Sequence, residues 1–99
     1  MTAPLRPAAA LARAVALLTE RGFSEVIREG RSESVYLKPE ACSFTLRVSN
    51  HARRPRQRRT HPEVLTSLVV TDPKNPAQIE AMVEIALRNF EAARRAREG

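Results

Sequence analysis

Arg53, Arg54, Arg56, Arg58 and Arg59 crowd five guanidinium groups into seven consecutive positions. The surrounding stretch reads His51-Ala-Arg-Arg-Pro-Arg-Gln-Arg-Arg-Thr-His61, with no acid and no large apolar side chain. A guanidinium is planar, permanently charged and able to donate two parallel hydrogen bonds to a phosphate or a carboxylate. Five of them on a segment that has nothing to bury point to a polyanion, whose condensed counterions are released on binding. Pro55 disfavours a helix here and keeps the arginines splayed, which suits tracking along a phosphate backbone better than reading base edges.

The remaining chemistry-bearing residues are sparse. His51 and His61 flank the basic stretch. The sharp reading makes them a general acid and base for metal-free RNA cleavage, with the arginines stabilising the pentavalent phosphate. The plain reading makes them two loop histidines, one ending a strand and one preceding Pro62, and it is the one adopted: no catalytic residue is assigned. Cys42 is the sole cysteine, so an intrachain disulfide is impossible. A metal site built from Cys42, His51 and His61 lacks a fourth ligand and a recognisable spacing, so no metal and no cofactor is expected. Tyr36 is the one aromatic placed to stack a base, and equally a cross-strand packing residue.

The charge is unevenly spread. The chain has 99 residues and a formal net charge of +6, of which the five clustered arginines supply +5. At 42% hydrophobic and 28% charged, it has the composition of one small globular domain, 1–99, rather than a disordered chain. The apolar stretch Leu11–Leu18 is interrupted by Arg13 and is too short to span a bilayer. The expectation is a cytoplasmic protein with no membrane partner.

The elements that must position the arginines follow from periodicity. Pro7 suits a first helical turn, and Leu11, Val15 and Leu18 recur at helical spacing. Gly22 supplies a left-handed stop, with Phe23 as the hydrophobic residue that accompanies it. A helix over 7–21 follows. Residues 24–28 and 34–38 read as strands, the second with Val35 and Leu37 on one face. Phe44, Leu46 and Val48 alternate with Ser43, Thr45, Arg47 and Ser49, the clearest strand signal in the chain. Residues 64–71 are rich in β-branched side chains and give a fourth strand. Asn75, Pro76 and Gln78 make a capping box at the start of a second helix over 76–96, whose apolar stripe runs from Ile79 through Met82, Val83, Ala86, Leu87 and Phe90 to Ala93. Glu84/Arg88 and Glu91/Arg95 are i,i+4 pairs on its solvent side.

The order predicts an α+β fold: an antiparallel sheet of three to four strands with the N-terminal and C-terminal helices packed on one face. Apolar alternation in a single register predicts a half-solvated sheet, with Ser34, Tyr36, Thr45, Arg47 and Ser49 facing water. Arg47 then joins the five clustered arginines as a phosphate contact. The arginines fall in a connection over about 50–63, longer than most loops of compact domains, and are expected to form a flexible loop.

The helix–strands–helix order resembles the topology of double-stranded-RNA-binding domains. The stretch from the first helix through Arg21-Gly22-Phe23, Val26-Ile27-Arg28 and Gly30-Arg31-Ser32-Glu33-Ser34-Val35-Tyr36 to Leu46-Arg47-Val48-Ser49-Asn50-His51 resembles the HicA toxins, small RNA-cleaving proteins of that topology. It covers about half the chain. Where that family places its catalytic histidine, this chain has Ser32, Glu33 and Ser34. The start of the last helix, Lys74-Asn75-Pro76-Ala77-Gln78-Ile79-Glu80, also departs from the Lys-rich phosphate grip of double-stranded-RNA-binding domains. The resemblance implies the fold.

Three functional expectations result. The first is a small module that binds RNA or DNA through backbone phosphates by Arg47, Arg53, Arg54, Arg56, Arg58 and Arg59, with Tyr36, His51 and His61 nearby. The second is an interaction or inhibitor protein, of the kind mobile elements encode, whose arginines dock in a partner's acidic groove or nucleic-acid channel. The third is a HicA-like ribonuclease. Oligomeric state is open at this point.

Overall fold

The structure, a computed structural model, describes residues 3–26, 34–51 and 62–98. Helix α1 spans Pro7–Glu20 and helix α2 spans Pro76–Glu98. Between them run β1 (Phe23–Glu25), β2 (Val35–Pro39), β3 (Thr45–Ser49) and β4 (Val64–Val69), in the spatial order β1-β2-β3-β4. The class is α+β.

Local signals place the ends of these elements. Pro7 opens α1, and Gly22, at φ +93°, lets the chain leave it by a left-handed residue while Arg21 N–H and Gly22 N–H donate to Leu18 O and Thr19 O. Asn75 and Gln78 form the reciprocal capping box at α2. Gln78 N–H donates to Asn75 Oδ1 at 2.8 Å, and Asn75 N–H donates to Gln78 Oε1 at 2.9 Å. A two-way backbone bridge between Leu5 and Lys74 ties the segment before α1 to the entry of α2.

The core forms where the helices meet one face of the sheet. Ala10, Ala14 and Leu18 of α1 and Ile79, Val83, Ala86 and Phe90 of α2 pack on Val35, Leu37, Leu46, Val48 and Leu68. Phe23, just past the glycine, meets Phe90 edge-on at 5.4 Å between ring centroids. Arg21, the residue that follows α1, forms an ion pair with Glu84 of α2, so Glu84 reaches Arg21 rather than the Arg88 on its own helix. The expected Glu91–Arg95 pair is present at 4.0 Å.

Two features differ from the sequence reading. The sheet is mixed, not antiparallel throughout: β1–β2 and β2–β3 are antiparallel, but β3–β4 is parallel, with Arg47 opposite Ser67 and Val48 opposite Leu68. Parallel neighbours require a crossover of about a dozen residues or more, because the chain must return to the starting end of the strand. Residues 50–63 therefore carry a topological duty as well as the arginines.

The second face of the sheet is also not solvated along β3. All five residues of that strand are buried, and Ser34, Thr45, Arg47 and Ser49, expected to face water, are buried too. Hydroxyls tolerate this when bonded, as Ser34 Oγ is to Ser49 Oγ at 2.9 Å. Tyr36 is half-buried on this face, opposite Arg47.

Candidate nucleic-acid interface

The crossover leaves β3 through a dense set of anchors. Val70 N–H donates to Ser49 O at 2.8 Å. His51 N–H donates to Ser49 Oγ at 3.2 Å, and Arg47 Nη2 donates to His51 O at 2.8 Å. Asn50, with its amide oriented NH2-first, donates to Val70 O at 3.2 Å and Pro7 O at 3.1 Å. The exit of β3 is thus tied to β4 and to the start of α1. A segment with almost no apolar surface has only polar bonds to fix where it begins, and these supply them.

Arg47 is the residue that sequence reasoning placed wrongly. It is 2% exposed, so it does not present its guanidinium at the surface as the strand alternation implied. A buried cation is costly without hydrogen-bond partners, and the His51 carbonyl is one of them. Its place in the middle of β3 makes it a hook under the first residues of the crossover. His51 itself is exposed. The side chains of Arg53, Arg54, Arg56, Arg58, Arg59 and His61 lie outside the described residues.

The other end of the crossover lies at the opposite end of the sheet. Glu63 O accepts from Thr45 N–H at 2.9 Å, with Thr45 Oγ1 at 3.5 Å. Pro62 O accepts from Arg97 Nη2 at 3.3 Å. Arg97 also stacks over the Phe44 ring, 5.9 Å from its centroid. The last turns of α2 carry Arg94, Arg95 and Arg97, so the basic segment returns to the sheet beside a second set of cations. These cations are partly matched. Arg94 donates to Glu98 at 3.1 Å, a bond that holds its pKa above the ordinary value, and Arg95 lies 4.0 Å from Glu91.

Among the described residues, no three of His, Cys, Asp and Glu come together in a way that would hold a metal ion. Cys42 is buried, and its Sγ donates weakly to Phe44 O at 3.7 Å. A hollow of about 390 Å³ between β1–β2 and α2 is lined by both charge signs, with Arg21, Arg88 and Arg94 beside Glu84 and Glu91. It therefore concentrates neither sign. No helix among the described residues is long and apolar enough to cross a membrane.

No family model, curated protein or solved structure matches this chain.

Proposed function

We propose that this chain is a small nucleic-acid-binding module that grips RNA or DNA by its backbone phosphates through Arg53, Arg54, Arg56, Arg58 and Arg59. The observation that carries this reading is the acid-free run of five arginines on a crossover whose two ends are bonded to the sheet. The connection could bridge parallel strands with any polar sequence, so its topological duty does not explain the arginines. Phosphate contacts do, since each one releases condensed counterions.

Arg47 has a different part in this account. It holds the His51 carbonyl and so sets where the basic segment leaves the sheet. Arg97 at the return point widens the cationic footprint. Stacking contributes little, because aromatics are 4% of the chain and Tyr36 is half-buried. Binding is therefore dominated by charge and is tolerant of sequence.

The test is fluorescence anisotropy with an unrelated single-stranded RNA and an unrelated DNA duplex, for wild type and for a variant with all five arginines changed to Gln. Wild type binds both at low salt and the variant binds neither. Failure of wild type to bind either ligand at low salt would overturn the reading and favour a partner protein with an acidic groove.

A further inference from the structure

The two edges of the sheet are treated very differently. At one edge, β1 is three residues long and ends in Glu25. At the other, β4 is six residues, Val64-Leu65-Thr66-Ser67-Leu68-Val69, without a charge or a proline. Long, charge-free edge strands invite pairing, and soluble proteins usually blunt them with Lys, Pro or a short length. Because Val70 N–H points to β3, the alternation along the strand turns the backbone N–H and C=O of Ser67 and Val69 outward.

One face of the helix beside this edge is equally free of charge. Gln78, Ala81, Met82, Ile85, Asn89 and Ala92 form one stripe at helical spacing, exposed or half-buried. Glu80, Glu84, Arg88 and Glu91 fall outside it. Ile85 is 52% exposed, the one large apolar side chain so exposed among the described residues. Between stripe and strand lies a groove of about 170 Å³, lined by residues 66–69 of β4 and by Met82, Ile85, Ala86 and Asn89.

We infer that this edge is the interface to a second copy of the same chain, formed by antiparallel pairing of β4 with its counterpart and flanked by α2 against α2. Charge selects that occupant. A chain of net charge +6 attracts an acidic partner to its cations, and the described residues of this surface include none. Two copies carry the same net charge, so contact between them costs least where the described residues bear no charge, and this surface is such a place. A two-fold axis needs one self-complementary patch, and an edge strand is self-complementary when it pairs antiparallel. The product is a continuous eight-stranded sheet.

The patch is small. The strand edge is roughly 20 Å long, and strand plus helix stripe bury roughly 500 Å² per copy, below the ~800 Å² of a standard interface. An interface of that size fits a reversible dimer rather than a permanent one.

Sedimentation velocity of nucleic-acid-free protein, between about 1 and 200 µM, tests this. Wild type shifts from 11.1 kDa to twice that mass as concentration rises. Ile85→Glu, a surface change, stays monomeric with an unchanged far-ultraviolet circular dichroism spectrum, and Ser67→Pro, which removes an outward N–H, does the same. The variant lacking the five clustered arginines dimerises at least as well as wild type, since it loses repulsion and keeps the edge, so this outcome is independent of nucleic-acid binding. A wild type that stays monomeric throughout, or a dimer indifferent to Ile85→Glu, overturns the inference.

Discussion

Replacing Arg47 by alanine separates a buried hook from a surface phosphate ligand. The side chain is 2% exposed, and its Nη2 donates to the His51 carbonyl at 2.8 Å. Losing a hydrogen bond from a charged donor costs about 1.5–3 kcal/mol. Truncating a long buried stem to a methyl group leaves a cavity, and such core truncations cost about 2–5 kcal/mol. The two overlap, so about 3–5 kcal/mol is expected, a large share of the ~5–15 kcal/mol that holds a domain together. At about 4–8 °C per kcal/mol for a domain of this size, the melting temperature falls by at least ~12 °C. Arg47→Met keeps most of the stem and relieves the desolvated charge, so it loses less, about 1–2 kcal/mol. Urea unfolding of the three proteins measures this. An exposed arginine that only touches phosphate changes stability by no more than ~0.5 kcal/mol. An Arg47→Ala protein that stable, yet weakened in nucleic-acid binding, would refute the placement of Arg47 as a hook.

Other predictions rest on single features of the fold. Asn75→Ala removes one half of the capping box of α2 and costs about 1 kcal/mol in urea unfolding. Gly22→Ala is destabilising by about 1 kcal/mol, although an added Cβ meets nothing within 4 Å, because φ +93° disfavours any L side chain. A double-mutant cycle on Arg21 and Glu84 yields under about 1 kcal/mol, since both side chains are 52% exposed and solvent screens them.

The elements were legible because their signals are local. Gly22, Asn75 and Gln78 announce helix ends through backbone geometry and short-range bonds, and Leu46 and Val48 announce a strand by alternation. The direction of β4 was not legible, because no residue within a strand encodes whether its neighbour runs parallel. The only trace was the length of the connection over 50–63, which suits a parallel crossover as well as it suits a functional loop. The second face of β3 misled for a related reason. Thr45, Arg47 and Ser49 read as solvent-facing by polarity, yet hydroxyls that bond one another and an arginine that bonds a carbonyl can be buried. The five clustered arginines stand out in the sequence because charge density survives without any knowledge of the fold. Arg47, sixth in that set, shows that an arginine on a strand needs its burial known before it is given a ligand. The charge-free edge of β4 becomes visible only once the strand order puts it outermost and brings α2 alongside.

The central claim, that the crossover arginines neutralise phosphates, is tested most directly by the salt dependence of binding. If all five engage, log affinity against log salt falls with a slope of roughly −3.5 for a single strand and about −4.5 for duplex DNA. Each single change among Arg53, Arg54, Arg56, Arg58 and Arg59 to alanine then reduces the steepness by somewhat under one unit, equally for ligands of unrelated sequence. A slope that stays at the wild-type value in all five variants, or affinity lost through one or two arginines and only for one sequence, would contradict it.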